Sequence, residues 1–326
     1  MNIENLKWKM LDRPLLPIMS SHVDAFPFLV LVALLFISGV ALKNKRIRVF
    51  RPVIQIASFV FFVFTIHRCF GALRGWIFAL KDIGKNDLNV FFNLFIFVPV
   101  LASTLMFGRV FCGWLCPLGA LQEFSFRIPA LKRFVLKDSS LTRDFKLVVS
   151  IIIFALSIFF LFKLKPKTFF FLENIASLWG IALAIIVFAV LGKPQLETQM
   201  KKTRYLSLIL WFLLLIFGVF TTEPWCVLFG NEIDYSSILS LFIVMALTFL
   251  IFQPWCRYLC PLGSFLSLLV KYSPLKIRLN KSINISPKRA KEICPVEAIG
   301  NVSIDSSSCL YCTRCVNAGI SKLEES

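Results

Sequence analysis

The 326-residue chain is 58% hydrophobic, holds 36 phenylalanines and has a mean hydropathy of +0.78. On composition this excludes an ordinary soluble domain, whose polar surface these residues cannot supply. The net charge of +18 lies mostly between apolar runs, in linkers such as Lys43-Asn44-Lys45-Arg46-Ile47-Arg48 and Lys201-Lys202-Thr203-Arg204, which reads as positive-inside loops and excludes a nucleic-acid-binding patch.

In chain order, residues 1–24 are an N-terminal segment. Apolar runs of about 17–20 residues, enough to span a ~30 Å hydrocarbon core, then predict spans at 25–42, 52–70, 88–107, 146–163, 175–192, 205–221 and 236–253. The first begins too late and runs too long for a secretory h-region of ~7–15 residues, so it reads as a retained helix. Basic loops at 43–51, 108–145, 193–204 and 254–326 place that side in the cytoplasm and the N-terminus outside. Lys163, Lys165 and Lys167 then fall outside, around a turn at Pro166. The expected fold is an all-α polytopic membrane protein of six to seven transmembrane helices with an internal repeat, residues 25–273. A small C-terminal ferredoxin-like α+β appendage follows at 274–326. Its expected location is the cytoplasmic (inner) membrane, multi-pass and surrounded by lipid, with the cysteine motifs and the appendage on the cytoplasmic side.

The repeat is carried by Phe111-Cys112-Gly113-Trp114-Leu115-Cys116-Pro117-Leu118-Gly119 and Trp255-Cys256-Arg257-Tyr258-Leu259-Cys260-Pro261-Leu262-Gly263. Each copy follows a predicted span, and repeated halves commonly meet at the functional site. An i, i+4 spacing directs both thiols of a copy to one side of a helical turn, and Pro-Leu-Gly leaves the pair at a helix end. Two such ends meeting would gather Cys112, Cys116, Cys256 and Cys260, enough for a cluster. A redox-active thiol pair, a metal-transfer site and helix-end packing are the alternatives.

In the appendage, Leu275–Leu279 and Asn301–Ile304 read as short strands around a helical turn. Cys309-x2-Cys312-x2-Cys315 has the spacing of three cluster ligands, and Cys294-Pro295 is the tail of another such run. In two-cluster ferredoxins the fourth cysteine of each run serves the other run's cluster. Counting by that rule puts the missing ligands at Asn284, Pro287, Ala290 and Gly319. All four belong to one cluster, and the four cysteines that remain belong to the other. One [4Fe–4S] cluster held by Cys294, Cys309, Cys312 and Cys315 is therefore expected. Zinc with four thiolates usually pairs two Cys-x2-Cys knuckles instead. Cys69 and Cys226 close equivalent spans on the opposite face, where they read either as a disulfide between the halves or as free buried thiols. His67 reads as an interfacial side chain, with a metal or quinone role as the alternative.

Across residues 46–326, the paired Cys-x3-Cys-Pro motifs, the C-terminal cysteines and Arg46-Ile-Arg-Val-Phe-Arg51 leading into Pro52-Val-Ile-Gln55 resemble the membrane-bound polyferredoxins that include NapH and NosR, and more distantly CcoG/RdxA. The resemblance implies a quinol dehydrogenase-type component passing electrons from the quinol pool to a redox partner protein, with a quinone as a further cofactor. Members of that family carry two complete ferredoxin runs, whereas this chain keeps ligands for one. Two other readings stand beside it: a metal-ion (copper) reductase, which the CcoG likeness implies, and a non-redox maturation/assembly or sensor protein for a metalloenzyme. The scarcity of His and Met argues against copper capture.

Overall fold

A computed structural model describes residues 25–66, 88–128, 140–164, 175–193, 196–216, 235–280, 286–300 and 303–325, with side chains given from Leu29, Phe97 and Trp179 in the helices that begin at 25, 88 and 175. The expectations at residues 1–24, His67, Cys69, Cys226, Lys165, Pro166 and Lys167 lie outside the described residues.

Helix α1 (Ala25–Lys43) packs against α3 (Leu88–Phe107) and α2 (Arg51–Val60), and α2 runs on into a π-helical turn, Phe61–Ile66. A second π turn (Phe111–Leu115) leads into α4 (Pro117–Arg127). Next come α5 (Ser140–Leu164) and α6 (Ile175–Gly192), with α6 packed between α5 and α9 (Tyr235–Thr248). Short α7 (Glu197–Met200) precedes α8 (Thr203–Ile216). The second motif follows α9 as α10 (Pro254–Tyr258) and α11 (Pro261–Leu269), with α11 against α8. The C-terminal segment holds β1 (Leu275–Leu279), α12 (Pro287–Ile293), α13 (Arg314–Asn317) and β2 (Ser321–Glu325).

Helix α2 is inverted relative to an ordinary surface helix. Arg51, Gln55 and Ser58 recur at i, i+4 and i+7, one helical face, and all are buried, while Val53, Ile56 and Val60 face outward. The buried polar face exists to satisfy the motif: Ser58 Oγ donates to the Leu115 carbonyl at 2.7 Å and Arg51 Nη2 to the Gly113 carbonyl at 2.7 Å. An irregular π turn leaves such carbonyls without helical partners, so buried donors must come from elsewhere.

The expected polytopic membrane architecture and its multi-pass inner-membrane location are corrected here. Among the described residues, no helix is long and apolar enough to cross a membrane. In the span expected at 236–253 the helix ends at Thr248, and the residues from 249 to 253 leave it. Among the described residues of the span expected at 52–70, the α-helix gives way to a π-helical turn at Phe61. Helix α5 opens with Arg143, Asp144 and Lys146 inside the helix. The side of each loop, assigned on the assumption of spanning helices, falls with that assumption.

The strand at Leu275–Leu279 forms as expected, but its partner differs. β1 pairs antiparallel with β2, Ile277 opposite Leu323, whereas Ile304 makes an isolated bridge to Ile299. Proline does not merely end helices here. Pro117 and Pro261 open α4 and α11 at the first helical position, where a missing N–H costs nothing.

Candidate metal centre

Each Cys-x3-Cys-Pro copy is built around an i→i−5 closure: Cys116 N donates to the Phe111 carbonyl at 2.8 Å and Cys260 N to the Trp255 carbonyl at 2.9 Å. The second cysteine then caps the next helix. Gly119 N donates to Cys116 Sγ at 3.0 Å and Gly263 N to Cys260 Sγ at 3.2 Å. A Cβ on Gly119 would stand 3.1 Å from both Cys116 Sγ and the Cys112 carbonyl, so glycine keeps this cradle open.

The copies meet through sulfur. The Cys116 thiol hydrogen-bonds Cys256, holding Cys256 below the ordinary thiol range, while burial pushes Cys116 well up. Burial also raises Cys112, which neighbours both Arg109 and Cys256. Gln122 Nε2 reaches Cys256 Sγ at 3.8 Å, and Gln253 Nε2 donates to the Gly119 carbonyl at 2.9 Å, crossing from one copy to the other. Arg109, 1% exposed, places Nη2 3.9 Å from Cys112 Sγ and donates through Nη1 to the Ser307 carbonyl at 2.8 Å.

The C-terminal cysteines form a second neighbourhood. Burial pushes Cys294 up to about 11, and the nearby Cys312 and Cys315 add to it. Cys309 is raised well above its ordinary range by burial and then by Cys312 and Cys294, and burial raises Cys315. Tyr311 and Thr313 take left-handed backbone conformations (φ 53° and 60°), folding the Cys309–Cys315 stretch into a tight turn.

This turn docks on the first motif. A Cβ on Gly113 would lie 2.0 Å from the Leu310 carbonyl oxygen, so only glycine lets the two backbones meet. Gly108, at φ +78°, faces the Tyr311 ring, and Trp114 Nε1 donates to the Tyr311 carbonyl at 3.0 Å. Two charged feet hold the segment down. Glu123 takes Arg51 at 2.7 and 2.5 Å and Arg314 at 2.7 Å. Burial alone would raise the Glu123 carboxyl, but these two guanidiniums outweigh it and hold it at about 2. On the second motif, Arg257 pairs with Glu197, lies 3.6 Å from Glu297 and donates to the Pro295 carbonyl at 3.1 Å. A small cavity lined by Lys201, Arg204, Cys256, Arg257, Val296, Ser308 and Leu310 separates the second motif from the C-terminal turn.

All eight motif cysteines are free thiols. Among the described residues, no group of three or more His, Cys, Asp or Glu is placed to hold a metal ion. A mononuclear site needs its donors ~2.0–2.3 Å from one point, while a [4Fe–4S] cluster takes thiolates at separate irons. The residues fit the latter group: soft sulfur donors in two sets, backbone N–H groups aimed at sulfur, and the buried Arg109 Nε, a donor without a hydrogen-bond partner. The sequence reading named the cysteines but missed Arg109, Glu123, Arg257 and Gln122. An arginine three residues before Cys112 and a glutamate seven after Cys116 were the available signal, and only the packing distinguishes them from surface charge.

The family model described as "4Fe-4S binding domain" matches residues 89–135 and 233–281. Each match holds one Cys-x3-Cys-Pro copy, and the C-terminal cysteines lie beyond both. The uncharacterized protein MJ0750 of Methanocaldococcus jannaschii is 25% identical over 273 residues, 83% of this chain and 91% of that protein. The regulatory protein NosR of Pseudomonas aeruginosa is 26% identical over 264 residues, 77% of this chain but 28% of NosR. The putative electron transport protein YccM of Escherichia coli is 26% identical over 92 residues, 28% of this chain and 26% of that protein. No solved structure matches. The chain thus carries a 4Fe–4S binding domain twice, and its likeness to NosR is borne out at low identity.

Proposed function

We propose that this chain is an iron–sulfur electron-transfer protein, with one [4Fe–4S] centre at Cys112, Cys116, Cys256 and Cys260 and a second at Cys294, Cys309, Cys312 and Cys315. The observation that carries the reading is the pair of 4Fe–4S domain matches on the two motif copies, whose thiols Cys116 and Cys256 neighbour each other across the repeat. When bound, such a cluster supplies a one-electron couple whose potential follows burial and hydrogen bonds to sulfur. The chain's part is to deliver thiolates, exclude water and keep the two sets adjacent through the Gly113–Leu310 contact. Electron transport in YccM's name and the NosR likeness support a redox partner protein, and the family resemblance supports a quinol as donor.

Iron and sulfide counts with EPR on anaerobically purified protein test this. About eight irons per chain are expected, on the one-thiolate-per-iron logic of two four-iron clusters. Serine at Cys112 and Cys256 together should remove one half, and serine at Cys309 and Cys312 the other. Iron-free protein would overturn the proposal.

A second reading, that the chain regulates or matures a metalloenzyme, is favoured by the NosR relatives' name, regulatory protein. Cys312→Ser separates the two. An electron carrier lacking it leaves its partner mature but starved of electrons, whereas a maturation factor leaves the partner immature.

A further inference from the structure

Resting on the reading just given, we infer that Arg109 sets the reduction potential of the centre at Cys112, Cys116, Cys256 and Cys260, holding it higher than four thiolates alone would. Arg109 is buried to 1% and its guanidinium lies 3.9 Å from Cys112 Sγ. It lies against Gly263, where a Cβ would stand 3.0 Å from Nη2, so the second motif leaves it room. Nη1 is anchored on the Ser307 carbonyl at 2.8 Å, while Nε is buried without an acceptor among the described residues, a donor left over for sulfur.

The repeat shows that this cation is a local addition. Arg109 stands three residues before Cys112, and the residue three before Cys256 is Gln253. Gln253 takes a left-handed conformation (φ 47°) and spends its amide N–H on the Gly119 carbonyl instead. One copy therefore brings a fixed positive charge to the shared thiols and the other brings a neutral amide. Reduction adds one negative charge, and a guanidinium in a water-poor site stabilises that state far more than it would in water. Through Nη1 the same guanidinium also holds the Ser307 carbonyl, two residues before Cys309.

The test is an EPR-monitored redox titration of anaerobic protein, with the two midpoints assigned through Cys112→Ser and Cys312→Ser. Arg109→Gln, which copies the second motif, should retain iron and lower the motif centre's midpoint by at least a tenfold change in its oxidised-to-reduced ratio, ~59 mV for one electron. Arg109→Lys, which keeps the charge, should recover most of it. An unchanged midpoint in iron-loaded Arg109→Gln overturns the inference and leaves the electron-transfer reading intact, while absence of iron from the unaltered protein defeats that reading itself. Should Arg109→Gln fail to hold iron, Arg109→Met is measured in its place. If neither neutral variant holds iron, retention by Arg109→Lys supports the need for charge, and loss in all three overturns it in favour of packing.

Discussion

Glu123 lies between Arg51 and Arg314 with its side chain 3% exposed, a carboxylate shared by the helical body and the C-terminal turn. Removing one partner of a buried ion pair strands the others, so Glu123→Ala should cost about 3–5 kcal/mol in denaturant titrations. Its pKa is depressed, from an ordinary 4.5 to about 2. Its contribution is therefore full above pH 4.5 and drains away as pH falls toward 2. The stability gap between the unaltered chain and Glu123→Gln should stay constant from pH 8 to 5 and close below it; a gap that widens in acid would refute the sign. Gly113 makes a different kind of prediction. With the Leu310 carbonyl oxygen 2.0 Å from any added Cβ, Gly113→Ala forces the two backbones apart. Overpacking of this sort costs about 1–3 kcal/mol or more. Iron counting should then show loss of the C-terminal half with the motif half kept.

At the scale of elements, the strand pair β1–β2 closes the C-terminal segment, with Ile277 and Leu275 buried beneath it and Ile320 N bonded to the Cys315 carbonyl at 3.1 Å. A chain ending at Gly319 loses every rung of that ladder, so it should lose the C-terminal half of the iron while the Cys112–Cys260 half persists. The β1 strand was legible because Leu275, Ile277 and Leu279 alternate with Lys276 and Arg278. Its partner was not, because Ser321-Lys-Leu-Glu-Glu325 offers a single apolar side chain, and pairing across 46 residues is written in no local pattern. The spacing of the cysteines was visible in the sequence because it is a covalent property of the chain. Which charges lie beneath them was not: Arg109 and Arg257 read as loop cations until packing put them at 1% and 7% exposure. The long apolar runs misled for the same reason. Hydropathy records the character of a stretch and not where its helix ends, and the run at 236–253 ends its helix at Thr248, before the left-handed Gln253.

For the whole molecule, the arrangement to explain is a C-terminal segment standing on two feet, one on each copy of the repeat. Arg314 holds it to Glu123 of the first copy's helix, and Arg257 of the second copy holds Pro295 and Glu297. Each foot holds a partly or wholly buried charge, and removing its partner strands that charge at a cost larger than losing a surface pair. While one foot holds, the other rebinds as an intramolecular event at an effective concentration in the millimolar range. Breaking either alone should therefore free little of the segment, and breaking both should free most of it, a loss well beyond the sum of the singles. Protease sensitivity between Cys294 and Cys315 measures this directly in Arg314→Ala, Arg257→Ala and the double variant. A second readout belongs to function: paramagnetic coupling between the two proposed centres in reduced protein should survive each single change and vanish in the double one. Equal release by one single variant and the double would mean that a single foot bears the segment, and the repeat would then have lost its symmetry in holding the C-terminal turn.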